Sequence, residues 1–119
     1  MAFTGRRGSM ERFVKGDVAV VPFPFSDLSS SKKRPAIVLA NLKGEDVILC
    51  QITSQFVKHN YAVPLDSSDF RYGTLHKSGN VRPNRIFTAE KSIIIRKIGT
   101  IKPEVFKKIT NTICDLIKL

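Results

Sequence analysis

Short apolar stretches separated by turn-forming residues dominate the chain before Pro103. The stretch Asp17–Phe23 is rich in β-branched residues, and a proline followed by a polar segment ends it. Pro35–Asn41 is a second stretch of this kind, and Lys43-Gly44-Glu45 predicts a tight turn into a third, Asp46–Thr53. The pattern therefore predicts three strands, the first two joined by a polar loop and the last two by a hairpin.

The later part of the chain continues with apolar stretches and then changes period. We expect a short strand at Tyr61–Leu65, a mostly polar connection over 67–79 with at most one helical turn, and strands at Val81–Ala89 and Ser92–Ile98. After Pro103, which suits the first turn of a helix, apolar residues recur at helical spacing. The sequence thus predicts five or six antiparallel strands closed by a C-terminal amphipathic helix. A mainly β, SH3-like, partly open barrel fits this order best.

The first nine of the 119 residues, MAFTGRRGS, read as an expression scar because they are polar and end in Gly-Ser before Met10. We expect residues 10–119 to form one domain. There is no apolar run of the roughly 18 residues that a membrane span needs, so a soluble, cytoplasmic protein without membrane association is expected. Cys50 and Cys114 lie in apolar stretches, which predicts two buried, reduced thiols.

Basic residues outnumber acidic residues by two to one. Twenty Lys and Arg against ten Asp and Glu give a formal charge of +10, and without Arg6 and Arg7 of the scar the balance is 18 against 10, or +8. A surplus of this size favours a polyanionic partner, because phosphates neutralised by the protein release their counterions. Charge alone leaves nucleic-acid binding and a merely basic surface about equally open.

The sequence contains no standard catalytic motif. It has no Cys/His cluster, no closely spaced carboxylate set for a metal ion, no Gly-rich phosphate loop and no nucleophile elbow, so neither a metal nor a cofactor is expected. His59 and His76 could in principle serve as acid and base, but both lie beside lysines in polar segments, where histidines are usually just solvated. Basic and hydroxyl residues at predicted strand ends remain, and a small barrel can bring such ends to one rim.

Several of these segments, in their order and spacing, resemble the MazF/PemK-like toxins of type II toxin-antitoxin systems. The matching segments are Gly16-Asp17-Val18, Lys33-Arg34-Pro35-Ala36-Ile37-Val38-Leu39, Gln51-Ile52-Thr53-Ser54, Val63-Pro64-Leu65, Gly79-Asn80-Val81-Arg82, Phe87-Thr88-Ala89-Glu90-Lys91 and Lys97-Ile98-Gly99. The stretch Pro22-Phe23-Pro24-Phe25-Ser26 is similar to the PemK side of the family.

The resemblance implies the CcdB/MazF-like toxin fold, a homodimer, and sequence-specific, metal-independent cleavage of single-stranded RNA such as mRNA. The ribose 2′-OH would attack, leaving a 2′,3′-cyclic phosphate and a 5′-OH, and an acidic antitoxin protein would be the partner. The catalytic pair of the family falls on Arg34 and Thr53, and a second basic position falls on Arg82. Many relatives carry an Asp two residues after that arginine, where this chain has Asn84.

We expect RNA to be bound by the strand ends and loops around Arg34 and Thr53. The predicted RNA-binding residues are Lys33, Ser54, Gln55, Phe56, Arg82, Asn84 and Arg85. Phe56 could stack on an unpaired base, as aromatic residues do in single-strand binding proteins. Two alternatives stay open. A non-catalytic RNA-binding barrel would use the same arginines. A CcdB-like topoisomerase poison would share the fold, although this chain lacks tryptophan and the C-terminal Trp-Gly-Phe of those proteins.

Overall fold

The described strands join one antiparallel sheet that curls into a partly open barrel. The computed structural model describes residues 12–23, 32–54 and 61–119. Its elements are β1 (Asp17–Phe23), β2 (Lys32–Asn41), β3 (Asp46–Thr53), β4 (Val63–Leu65), β5 (Phe70–Gly73), β6 (Gly79–Glu90), β7 (Arg96–Ile101) and α1 (Pro103–Ile117). The strand order is β4-β6-β3-β2-β1-β7-β5. This arrangement confirms the predicted mainly β, partly open barrel with a C-terminal helix.

The predicted strands are largely confirmed, and the differences lie at their ends. β1 and β3 have the predicted bounds, whereas β2 and β6 begin a few residues earlier, at Lys32 and Gly79. The predicted strand Ser92–Ile98 is wrong in its first half, because a 3-10 turn spans Lys91–Ile93 and β7 begins at Arg96.

Strand β5 lies within residues 67–79, for which the sequence predicts only a connection. Phe70 is the only buried residue of this strand, so no alternation of apolar and polar residues marks it. Its last residue, Gly73, has a φ of +69°, and a Cβ there would overlap the carbonyl oxygen of Ile98 in β7. Close packing of the β5 backbone on β7, rather than a pattern of side chains, therefore defines strand β5.

Apolar side chains are buried on both faces of the curled sheet. The first core includes Val18, Ile37, Cys50, Ile52, Val81 and Ile101 together with Ile109 and Ile113 of α1. The second core contains Phe13, Ala19, Val21, Ala36, Val38, Val47 and Leu49. Successive side chains of a strand point to opposite faces of the sheet. A strand residue next to a member of one core therefore points towards the other core. In the described part of the chain, no helix is long and apolar enough to span a membrane.

A buried carboxylate fastens β1 to β7. Asp17 is 1% exposed, and it accepts hydrogen bonds from the backbone N–H of Val14 and the hydroxyl of Thr100, both at 2.9 Å. The ammonium of Lys97 completes the group at 3.2 Å. Because both carboxylate oxygens are paired, the buried charge is tolerated, and we assign Asp17 to the scaffold rather than to the chemistry.

Candidate functional site

Arg34 and Thr53, the predicted catalytic pair, lie at neighbouring ends of β2 and β3. The ladder between these strands ends at the pair Ala36–Gln51, two residues before Arg34 and Thr53. Because strand side chains alternate, Arg34 lies on the face of Ala36 and Thr53 on the face of Gln51, which is the same face of the sheet. Arg34 is half-buried and Thr53 is 6% exposed. The two side chains therefore leave the same edge of the sheet on one face.

Strand β6 holds Thr53 from the other side. Thr53 pairs with Asn80 in the β3–β6 ladder. A Cβ placed on Gly79 would lie 2.6 Å from the carbonyl oxygen of Thr53, so only glycine permits this approach of the two backbones. The end of β3 is therefore fixed by close backbone packing on one side and by the β2 register on the other.

A bulge in β6 begins at Arg82, opposite Gln51 of β3. Between the pairs Cys50–Ile86 and Ile52–Val81, β3 advances by two residues and β6 by five, so 82–85 lie opposite Gln51 alone. The thiol of Cys50 donates to the carbonyl oxygen of Arg82 at 3.0 Å. Burial raises the pKa of Cys50 to about 12, so the thiol keeps the proton that it donates.

Three polar side chains leave the sheet on the second-core side at this point, and Arg82 begins the bulge next to them. Arg34, Gln51 and Thr53 alternate with first-core residues, and Arg82 follows the first-core residue Val81. We call Arg34, Gln51, Thr53 and Arg82 the polar cluster. Gln51 is 6% exposed. Its Oε1 atom and the Nε atom of Arg82 are both buried, and neither has a hydrogen-bond partner among the described residues.

A cavity of about 730 Å³ lies at the same strand ends, and Arg34 is the one member of the polar cluster that lines it. Its apolar lining includes Val20, Ile52, Leu75 and Ile98. Ile52 and Leu75 belong to the first core, so the cavity opens on the face opposite to the side chains of Gln51 and Thr53. Its cations are Lys33, Arg34, Lys77, Arg96 and Lys97, and no Asp or Glu is among the described residues that line it. Cations around an apolar floor suit a ligand that carries both anionic groups and flat apolar ones, as a single-stranded nucleic acid does.

The predicted RNA-binding residues fall into three groups. Lys33 and Ser54 line the cavity with Arg34. Arg82 belongs to the polar cluster, whereas Asn84 and Arg85 are exposed in the bulge and do not line the cavity. Gln55 and Phe56 lie outside the described residues, as does His59.

The cavity is also lined by residues that the sequence does not mark as site residues. Thr74, His76 and Lys77 follow β5, and Arg96 and Lys97 open β7. His76, interpreted above as a solvated loop residue, is exposed and lines the cavity. These residues reach the cavity because β5 pairs with β7, and this long-range contact leaves no local signal in the sequence.

Neither cysteine forms a disulfide, but the prediction that both are buried is wrong for Cys114. Cys50 is buried and Cys114 is exposed. Cys114 lies one residue, and so about 100°, around α1 from the buried Ile113, which turns it towards solvent. Within residues 12–23, 32–54 and 61–119, no three His, Cys, Asp or Glu side chains lie close enough to hold a metal ion together.

Comparison with known proteins identifies relatives of this architecture. The model of the family described as "PemK-like, MazF-like toxin of type II toxin-antitoxin system" matches residues 14–117. An endoribonuclease from a mycobacterial species, solved with its cognate antitoxin, has a TM-score of 0.72 at 18% identity, covering 91% of this chain and 97% of that chain. A MazE–MazF structure from Deinococcus radiodurans gives 0.70 at 18% identity, with 89% and 96% covered. The Mycobacterium tuberculosis toxin MazF-mt6 gives 0.69 at 17% identity, with 87% and 97% covered. No curated protein matches the chain significantly.

Proposed function

Because this chain belongs to the family of PemK-like, MazF-like toxins of type II toxin-antitoxin systems, we propose that it is an endoribonuclease. Its substrate is single-stranded RNA such as mRNA, cleaved at specific sequences without a metal ion. The observation that carries the proposal is that Arg34, at the strand end next to the one that carries Thr53, lines a cavity whose charged lining residues are all cationic in the described part of the chain.

The reaction is a transfer of the phosphodiester to the neighbouring 2′ oxygen. A bond forms between the 2′ oxygen and phosphorus, and the bond between phosphorus and the 5′ oxygen breaks. The 2′-OH loses its proton to solvent, and the departing 5′ oxygen gains one from solvent, so the products are a 2′,3′-cyclic phosphate and a 5′-OH. DNA lacks the nucleophile, and a single strand allows the in-line geometry that attack requires.

Arg34 and Thr53 take complementary parts in this step. The guanidinium of Arg34 is permanently cationic and planar, so it stabilises the negative charge that develops on the phosphate oxygens. The hydroxyl of Thr53 donates a hydrogen bond to the same phosphate. Arg34 is not assigned as the general base, because a guanidinium with a pKa above about 12 stays protonated at neutral pH. Arg82 supplies a second cation next to this pair.

The same surface accounts for the proposed partners. RNA phosphates pair with Lys33 and the other cavity cations, while unpaired bases pack on the apolar floor. The acidic tail of an antitoxin carries the same charge as RNA and blocks the cavity by charge-assisted pairing. We further propose that the working unit is a cytoplasmic homodimer. Light scattering and a cleavage assay on the same sample test this proposal. A monomer with full cleavage activity would contradict the dimer.

The deciding experiment is incubation of the protein with a mixed RNA in saturating EDTA, followed by end analysis. We expect fragments with 5′-OH and 2′,3′-cyclic phosphate ends, cut at a common sequence. Cleavage that EDTA abolishes and Mg²⁺ or Mn²⁺ restores would contradict the metal-independent reaction. Intact RNA that is nevertheless bound would instead identify a non-catalytic RNA-binding barrel.

A further inference from the structure

The polar cluster contains a buried acceptor and a buried donor, both without a partner among the described residues. The acceptor is Oε1 of Gln51 and the donor is Nε of Arg82. A buried polar atom without a hydrogen bond costs free energy, so folded proteins hold few of them, and each calls for a physical reason. The two atoms are complementary and lie on adjacent strands, so each is a suitable partner for the other.

The strand register brings these two side chains together. Ile52 pairs with Val81, and Gln51 and Arg82 are the next residues along β3 and β6. Gln51 points to the second-core side, since Ile52 belongs to the first core, and Arg82 opens the bulge opposite Gln51. The bulge leaves Gln51 as the only β3 residue opposite 82–85, so no other β3 side chain competes for this position.

We propose that Gln51 is a positioning residue, whose Oε1 accepts a hydrogen bond from Nε of Arg82 when RNA occupies the polar cluster. Pairing through Nε fixes the plane of the guanidinium and leaves its two terminal nitrogens available for a phosphate. In the free protein this pair is open, as catalytic hydrogen bonds often are before substrate binds. Gln51 then acts on the reaction through Arg82, and the inference rests on the proposed ribonuclease function.

A purely structural role for Gln51 makes a different expectation. If the side chain only filled the second core, an apolar residue of the same length would serve as well, and activity would not change. If its amide held the fold together, replacing it would lower stability. A positioning role instead predicts that Gln51→Met is as stable as the wild type or more stable, because an unpaired buried acceptor is removed, yet cleaves more slowly.

The test is a double-mutant cycle of Gln51→Met and Arg82→Ala, read by single-turnover cleavage of an RNA that carries the mapped site. We expect Gln51→Met to lower the maximal rate at least tenfold and the double variant to be no slower than Arg82→Ala alone, since residues that act as a unit are not additive. Gln51→Glu keeps an acceptor for Nε and should retain more activity than Gln51→Met. Asn111→Met makes the same exchange of amide for thioether on the exposed side of α1 and should leave the rate unchanged.

A second measurement separates this inference from the ribonuclease function itself. Binding of an uncleavable 2′-deoxy analogue should slow hydrogen exchange at the Nε–H of Arg82, followed by nitrogen-edited NMR, in the wild type but not in Gln51→Met. Additive effects in the cycle, or equal exchange in both proteins, would overturn the role of Gln51. Protection of Nε–H in a wild type that cleaves no RNA would overturn the ribonuclease function while leaving the Gln51–Arg82 pair in place.

Discussion

A hydroxyl and a guanidinium can act on one phosphate only when the backbone holds both within hydrogen-bond reach of it. Arg34 and Thr53 lie at neighbouring ends of adjacent strands, two residues beyond the last pair of the β2–β3 ladder, and the proposed reaction requires that they meet this condition when RNA binds. The apolar runs place both residues at strand ends, whereas their proposed catalytic role comes from the resemblance to the MazF/PemK-like toxins. Gln51 could not be proposed from the sequence, because whether a polar residue within a strand is buried and unpaired depends on the neighbouring strand, here on the bulge at 82–85.

Arg34→Ala should lower the cleavage rate by about 10²-fold or more, which corresponds to about 2.7 kcal/mol of transition-state stabilisation. The fold should stay intact, because Arg34 is only half-buried at a strand end. Arg34→Lys should recover only part of the rate, since an ammonium cannot pair with two phosphate oxygens in a plane. Single-turnover kinetics with circular dichroism checks this. Arg71→Ala, an exposed arginine on β5 outside the cavity wall, is the matched control, and a fully active Arg34→Ala protein would move the site elsewhere.

Asp17→Ala should lower the free energy of unfolding by about 3 kcal/mol, because it leaves the Val14 N–H and the Thr100 hydroxyl without their acceptor and Lys97 without its counter-ion. Lys97 is 31% exposed, so its ammonium is partly hydrated in the variant. The loss of stability is therefore expected near the lower end of the range for a broken buried ion pair. Urea denaturation measures it. The exposed Asp115→Ala on α1 should change stability by less than about 0.5 kcal/mol. Equal stabilities of the two variants would contradict the scaffold role of Asp17.

Elements with a clear periodic pattern could be predicted, and elements defined by backbone contact could not. β1, β3 and α1 carry enough buried apolar residues for the pattern to set their bounds. β5 carries one buried residue and ends at a glycine packed on β7. Since β5 leads into Thr74, His76 and Lys77, the sequence predicted the Arg34 side of the cavity but not the opposite wall.

Gly79→Ala should impair cleavage through the backbone of β3. The added Cβ would lie 2.6 Å from the Thr53 carbonyl oxygen, and relieving this overlap shifts the end of the strand, at a cost of about 1–3 kcal/mol. Because a shift of about 1 Å in a catalytic group can cost 10²-fold in rate, cleavage should fall at least tenfold.

Gly44→Ala is the matched control for this effect. Gly44 has a φ of +88°, so an alanine there is strained in its hairpin. No atom lies within 4 Å of the added Cβ, so the substitution makes no new contact. It should lose about 1 kcal/mol of stability without loss of cleavage. Thermal unfolding and cleavage are measured on both variants, and unchanged cleavage by Gly79→Ala would show that β6 does not position Thr53.

At the scale of the molecule, a formal charge of +10 selects a particular ligand only where the fold brings several cations together. Five cations from β2, β7 and the segment after β5 meet in the cavity, and among its described lining residues no carboxylate opposes them. Lys97 is already paired with Asp17, which leaves four cations for a ligand. RNA and an acidic antitoxin tail would both pair with these four cations. The affinity of each ligand should therefore depend on salt concentration in a similar way.

Binding of the uncleavable 2′-deoxy analogue should weaken with added salt along a log–log slope of roughly −3, since each of four phosphate contacts contributes about 0.7. Lys77→Ala and Arg96→Ala should each reduce the slope by about 0.7, whereas Lys107→Ala on the exposed side of α1 should not change it. An Asp/Glu-rich antitoxin peptide should displace the analogue at fixed salt. In a combined Lys33→Ala and Lys77→Ala variant, the peptide and the analogue should both bind more weakly. Fluorescence anisotropy measures both. Saturating peptide that leaves the analogue bound with unchanged affinity would mean that the antitoxin inhibits from another surface.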